Sequence, residues 1–339
     1  MKIIIDILHP AHVHFFKYFI EEMKKRKHQI LVTTRNKDIT LDLLDEYNIP
    51  YKKISNVQKG FFGRFIELFK RNREFYKLAK KFKPDLLISE QGPTTAIMGK
   101  ILRVPSLIFW DTEVSNLTNM VCYPLANAVY TPISYTGKVN GHHITYNGYQ
   151  KLAYLHPNQF KANKEVLKKY NLPENYTIIR LVSWTGNHDK KDYGFKNIKE
   201  FIEQIKKHTK IIISSEEKLP KSLNQYKLNI EYKDMHDLLA FASLFVGESA
   251  TMANEAALLG TPAIYLSTSE RGYINELQNK YKVVRWYKSQ DKALAQTIEI
   301  LDDPNAKKIW NERANKMIKE MVDLTEFMID VVENKRWKR

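Results

Sequence analysis

The stretch Val246-Gly247-Glu248-Ser249-Ala250-Thr251-Met252-Ala253-Asn254-Glu255-Ala256-Ala257-Leu258-Leu259-Gly260-Thr261-Pro262 decides the fold class. Apolar residues run up to Gly247, small residues open a helix at Ser249 or Thr251, and Gly260 stops it ahead of the next apolar run, Ala263 to Leu266. A strand, a tight turn and a helix in succession are the repeating unit of a parallel sheet covered by helices. The start of such a helix aims backbone N–H groups outward. With the dipole, the backbone of Ser249, Ala250, Thr251 and Met252 and the Ser249 and Thr251 hydroxyls form a cradle for a pyrophosphate. Glu255, about one turn further, can accept both hydroxyls of a ribose. A Ser- or Thr-capped helix with a solvated Glu has the same spacing, so spacing alone leaves both readings open.

Outward from this stretch the same alternation fills both halves of the chain. Strands are expected at Lys2 to Ile7, Gln29 to Thr33, Asp85 to Ser89, Ser106 to Trp110 and Ala128 to Thr131, then at Tyr176 to Val182, Lys210 to Ser214, Leu244 to Val246, Ala263 to Leu266 and Lys282 to Arg285. Amphipathic segments separate them. A chain of 339 residues exceeds the size at which one core usually divides, roughly 250–300 residues. Pro132 to Asn158 carries Gly137, Gly141, Gly148 and Pro157 without a sustained period, and the domain connection is placed there. The expected domains are 1–150 and 151–325, with 326–339 a helix or tail returning to the first domain. The fold class is α/β, two Rossmann-like domains.

The single cysteine, Cys122, excludes an intrachain disulfide and a cysteine-rich metal site, and is expected to be a buried small side chain. Asp6 breaks the apolar start and no long uncharged apolar run follows, so the sequence supports neither a spanning helix nor a signal peptide, and a cytoplasmic location is expected. The net charge of +16 draws the protein to polyanions without naming one. From Lys59 to Lys83 nine basic residues face Glu67 and Glu74, a local balance of 9 − 2 = +7. Within it, Gly60-Phe61-Phe62-Gly63-Arg64-Phe65-Ile66-Glu67-Leu68-Phe69-Lys70-Arg71 reads as an amphipathic helix. Its later turns are expected to face the core, with Phe61, Phe62 and Arg64 at a tip suited to an anionic membrane surface or an acceptor. No recognised RNA or DNA module is present, so no specific nucleic-acid partner is expected.

In open parallel sheets ligands bind beyond the carboxyl ends of strands, which singles out three more loops. Asp6-Ile7-Leu8-His9-Pro10-Ala11-His12-Val13-His14 gathers three imidazoles after the first strand. Trp110-Asp111-Thr112-Glu113 places two acids at another strand end, where an N-cap with a first-turn acid is the plain alternative. Arg180-Leu181-Val182-Ser183-Trp184-Thr185-Gly186 follows the first strand of the second half.

The 246–262 stretch resembles the C-terminal signature of GT-B glycosyltransferases such as MurG and of UDP-N-acetylglucosamine 2-epimerases. Pro10 to Phe16, Trp110 to Glu113, Gly148-Tyr149-Gln150-Lys151-Leu152-Ala153-Tyr154-Leu155 and Thr251 to Pro262 together resemble an uncharacterised GT-B-like family of archaeal and bacterial proteins, the domain of unknown function 354. The resemblance implies a GT-B fold, two Rossmann-like domains facing each other across a cleft, with Glu255 on the ribose. It nominates His12, in Ala-His-Val, as the base that deprotonates an acceptor hydroxyl, with His14 orienting it and Asp111 or Glu113 as rivals. The MurG-like Gly-rich loop is absent there. Arg180, Ser183 and Thr185 fall at the position of a phosphate loop, and Ser214 where such proteins hold the base. Of the epimerases' His-Val-Glu-Ala-Gly motif only the Glu has a counterpart, Glu113, which argues against epimerisation.

The expected activity is that of an inverting, metal-independent glycosyltransferase of cell-surface polysaccharide synthesis. It moves a sugar, an N-acetylhexosamine by preference, from a UDP-sugar to a lipid-linked or glycan acceptor, without a cofactor. Its place is the cytoplasm, at most peripheral on the inner face of the membrane. The alternatives are a 2-epimerase-like enzyme and a non-catalytic sugar-nucleotide or glycan-binding protein.

Overall fold

The structure is a computed structural model and describes residues 1–58, 60–112, 116–182, 194–215 and 218–338. Packing divides the chain into two units, Met1–Gln159 with Val322–Arg339, and Phe160–Met321. The first unit runs β1 (Lys2–Ile7), α1 (Pro10–Lys25), β2 (Gln29–Asn36), α2 (Thr40–Glu46), β3 (Tyr51–Asn56), α3 (Gly60–Phe82), β4 (Leu86–Glu90), α4 (Pro93–Leu102), β5 (Ser106–Phe109), α5 (Asn116–Leu125), β6 (Ala128–Pro132), β7 (His143–Tyr146) and α6 (Leu152–Leu155). The second runs α7 (Glu165–Lys169), β8 (Tyr176–Leu181), α8 (Ile198–Ile205), β9 (Lys210–Ser215), α9 (Met235–Phe241), β10 (Leu244–Gly247), α10 (Ala250–Leu258), β11 (Ala263–Leu266), α11 (Gly272–Asn279), β12 (Val284–Tyr287), α12 (Gln290–Asp302) and α13 (Ala306–Lys319). The last helix, α14 (Leu324–Glu333), belongs to the first unit.

Among the described residues the first sheet has seven strands in the order β3-β2-β1-β4-β5-β6-β7, and the second five in the order β12-β11-β10-β8-β9. Every pairing is parallel. Helices cover parallel sheets on both faces, so inner strands become continuous apolar runs, as in Ile3, Ile4 and Ile5 of β1, all buried. The edge strands β3 and β7 are half-exposed and lack such runs, and the sequence reading missed both. Cys122 is buried against Trp110, Tyr123 and Val129.

Two segments depart from expectation. Residues 151–159 pack with the first unit: Val322 N donates to Asn147 O (2.9 Å), Thr325 Oγ1 donates to Ala153 O (2.8 Å), and α14 lies against α1 and α6. The units therefore divide at 159/160 and 321/322, in place of the 150/151 and 325/326 boundaries read from the sequence. In α3, Phe65, Ile66 and Phe69, expected to face the core, do not turn inward. The buried line is Glu67, Arg71, Phe75 and Ala79, four residues apart, while Phe62, Phe65, Ile66 and Phe69 are exposed. Polar groups occupy the inward line because Arg71 donates to Asp6 of β1 and to Ser55 of β3, and Ser55 donates to Glu67. Thr33 donates to the same Asp6 oxygen, and Arg35 joins Glu67 to the carbonyl of Leu8. Two buried charges tolerate this position only as part of such a hydrogen-bonded network. The network fixes the loop leaving β1.

No helix among the described residues is long and apolar enough to cross a membrane.

Candidate active site

In each sheet the first strand of the unit is flanked by strands whose connections run to opposite sides, which makes the carboxyl ends of β1 and β4, and of β8 and β10, the natural binding positions.

In the first unit, β1 ends at Ile7 and α1 begins at Pro10, with His9 as N-cap accepting the Ala11 N–H (3.2 Å). Burial, with Lys37 and Arg35 nearby, pushes the His9 imidazole down to about 3, so it caps as a neutral ring. His12 is buried in the first turn and its Nδ1 accepts the Leu8 N–H (3.3 Å). Burial first, then His9, Lys37, Arg35 and Arg71, hold it well below the usual histidine range. A neutral ring accepting at Nδ1 carries its proton on Nε2, and that nitrogen lies 3.9 Å from Glu90 Oε2. His12 thus presents an N–H. His14, two residues on, points to another face of α1, where Nδ1 meets the Tyr47 hydroxyl (3.3 Å) and the ring packs on Tyr154.

Glu90 ends β4 and was not singled out from the sequence, although the loops after strands were the places to look. Gln91 behind it adopts a left-handed backbone (φ +46°), which turns the chain sharply into α4 and leaves the Glu90 side chain at the strand end. Glu90 is 6% exposed, and burial together with Asp111 pushes its carboxyl up to about 8, against the pull of Lys151. Asp111, beyond β5, is bound by Lys151 Nζ (2.8 Å) and by the Thr112 hydroxyl (3.0 Å). With its amide nitrogen turned to the acids, Gln150 donates to Glu90 Oε1 (2.8 Å) and to Asp111 Oδ2 (3.0 Å). The Tyr146 phenol is buried close enough to both acids that burial, Asp111 and Glu90 hold it well above the usual tyrosine range. His12, Glu90, Asp111, Gln150 and Lys151 therefore form one cluster drawn from the first turn of α1, the end of β4, the loop after β5 and the turn leading into α6. Glu113 lies outside the described residues.

In the second unit, Ser249 caps α10, its Oγ accepting the Met252 N–H (3.2 Å), while Ala253 N bonds Ser249 O. The helix ladder and cap leave the amides of Ala250 and Thr251 for other acceptors. Glu248, which sequence reading passed over, accepts Val182 N–H (2.9 Å) and Phe195 N–H (2.9 Å), one on each side of residues 183–193. A Cβ at Gly194 would sit 2.3 Å from Glu248 Oε1, so a side chain there would push that carboxylate aside. Gly247 lies close against β8: a Cβ there would meet Arg180 Cβ and O, each at 2.8 Å. Arg180 is partly buried and donates to Ser214 Oγ (2.7 Å), joining the ends of β8 and β9. Ser183 and Thr185 lie outside the described residues. Glu255 is 6% exposed on the inner side of α10, its Oε1 3.4 Å from His236 Nε2 on α9. The solvated Glu weighed from the sequence is thus not what forms.

Known proteins agree with this architecture. The uncharacterized protein MJ0665 of Methanocaldococcus jannaschii is 23% identical over 278 residues, 77% of this chain and 80% of that protein. The UDP-GlcNAc 2-epimerase of Neisseria meningitidis, solved bound to UDP-GlcNAc, superposes with a TM-score of 0.71 at 14% identity, covering 98% of this chain and 100% of that one. MurG of Acinetobacter baumannii superposes with a TM-score of 0.62 at 14% identity over 98% and 100% of the two chains. At such identities the likeness is one of fold, the GT-B fold. Residues 1–336 match the family described as "Protein of unknown function (DUF354)", and the chain belongs to that family.

Proposed function

We propose that this protein is a glycosyltransferase that takes a sugar, an N-acetylhexosamine by preference, from a UDP-sugar and moves it to a lipid-linked or glycan acceptor. The observation that carries the reading is the Glu90–Asp111 pair: two acids held by one amide, of which one is driven toward its neutral form by burial while the other is paired with Lys151. Environments that separate two carboxyls in this way equip them for different proton-transfer roles. Because His12 presents an N–H, the base passes to Asp111, and His12 becomes a positioning residue for Glu90. The acceptor hydroxyl attacks the anomeric carbon, its proton goes to Asp111, and the bond from that carbon to the UDP oxygen breaks. The charge on the departing UDP is taken up by the Ala250 and Thr251 amides and the dipole of α10, with Glu255 on the ribose. Arg180, Ser183, Thr185 and Ser214 complete the donor contacts in this reading. The UDP-sugar is substrate, and no resident cofactor enters.

A second reading, a 2-epimerase, is favoured by the same carboxyl pair, since epimerisation needs a proton donor and a proton acceptor about one sugar carbon. Calorimetry with UDP, UDP-N-acetylglucosamine, GDP and ADP in EDTA, on wild type and Glu255→Ala, tests the donor site. UDP-selective binding weakened at least about tenfold by the substitution supports it. Failure to bind, or binding of all four nucleotides alike and untouched by the substitution, overturns both enzymatic readings. Product analysis without acceptor then separates them, because only an epimerase converts the sugar nucleotide alone.

A further inference from the structure

We infer that α3 docks the first unit on an anionic lipid surface. Phe62, Phe65, Ile66 and Phe69 are 81%, 66%, 52% and 70% exposed. Their spacing of three and four residues places them in one stripe, opposite the buried line Glu67, Arg71, Phe75 and Ala79. Because Glu67 and Arg71 hold that line through the network to Asp6 and Ser55, the helix cannot roll its phenylalanines inward without exposing a buried ion network. A contiguous exposed stripe of three phenyl rings and an isoleucine is unusual on a water-facing helix and marks an interaction surface.

Charge selects the occupant. Arg64, Lys70, Arg73, Lys77, Lys80 and Lys81 are exposed along the same helix, with Glu74 the acid among them, paired to Lys77. Rings that enter the acyl boundary beside cations that reach headgroup phosphates are the arrangement of an interfacial amphipathic helix. The helix starts at the carboxyl edge of the sheet, the edge that carries Glu90 and Asp111. Docking there would bring a lipid-linked acceptor to the cluster. That last clause rests on the glycosyltransferase reading; the docking does not.

The test is cosedimentation of the full chain with vesicles of phosphatidylcholine alone and of phosphatidylcholine mixed with phosphatidylglycerol, for wild type, Phe65→Ser/Phe69→Ser and Lys70→Glu/Arg73→Glu. The substituted side chains are exposed, so folding is retained, and UDP calorimetry on each variant reads the donor site separately. Wild type is expected to pellet with the anionic vesicles only, and each double variant to lose at least about tenfold in partitioning with unchanged nucleotide binding. Wild type remaining in the supernatant, or a Phe65→Ser/Phe69→Ser variant that binds as well as wild type, overturns the proposal. So does sedimentation equilibrium showing a dimer that the phenylalanine substitutions dissolve while no form binds vesicles, since the stripe would then be covered by a second copy.

Discussion

His12 Nε2 faces Glu90 Oε2 across 3.9 Å where β1 and β4 end side by side, and burial drives both groups toward their neutral forms. The folded protein holds a proton on Glu90 up to about pH 8, whereas the unfolded chain releases it near 4.5. Stability attached to this proton is therefore complete below about pH 4.5 and declines as pH rises toward 8, with a limiting slope of about 1.4 kcal/mol per pH unit. Glu90→Gln removes the titration while keeping the shape. Urea unfolding at pH 5 and pH 8 should show a loss in wild type that the variant lacks, the two differing by about 1–4 kcal/mol. Equal pH slopes in both proteins would sink the assignment.

Glu248 accepts the Val182 and Phe195 amides, one with each carboxylate oxygen. Hydrogen bonds to a charged acceptor contribute about 1.5–3 kcal/mol each, so Glu248→Ala should free both amides without unfolding the sheet. Hydrogen exchange should show the Val182 and Phe195 amides losing protection at least about tenfold. If residues 183–193 bind the donor diphosphate, UDP affinity falls in parallel. Unchanged protection at those two amides would show that something else holds them.

These two acids also mark the limit of what the sequence conveys. The glycine, the small residues and the apolar run around 246–262 announce a strand, a turn and a helix because each acts locally, and β10, α10 and β11 form there. Glu90 and Glu248 sit at strand ends like many solvated acids. Their significance comes from partners at distant positions, Gln150 and Asp111 for one, Val182 and Phe195 for the other. The inversion of α3 was hidden for the same reason. Its apolar residues outnumber its polar ones in the early turns, and only the hydrogen-bond partners on β1 and β3 reveal why Glu67 and Arg71 take the inward line.

Arg71 and Asp6 are buried in contact, with the Thr33 hydroxyl also on Asp6 (2.6 Å). Removing one partner leaves a buried charge, so Arg71→Met should destabilise by about 3–5 kcal/mol in urea unfolding. Removing both in Asp6→Leu/Arg71→Met should recover much of that loss, because the pair offsets its own desolvation only in part. Additive losses in the double variant would mean that each side chain acts through its other contacts, Thr33 for one and Ser55 for the other.

Gly247 ends β10 opposite Arg180 of β8, and any side chain there must displace the Arg180 backbone or its Cβ. Backbone cannot swing aside as a flexible side chain does, so Gly247→Ala should cost about 1–3 kcal/mol. The displacement would also act on function. Glu248 N donates to Arg180 O (3.0 Å), so a shift of β8 moves the carboxylate that holds Val182 and the turn that starts α10. Ser249→Ala is the control: it removes the cap on Met252, costs about 1 kcal/mol, and leaves the strands in place. Measured together by thermal unfolding and UDP calorimetry, Gly247→Ala should lose more nucleotide affinity than Ser249→Ala. The reverse order would place the donor contacts on the Ser249 hydroxyl itself and not on the backbone that Gly247 positions.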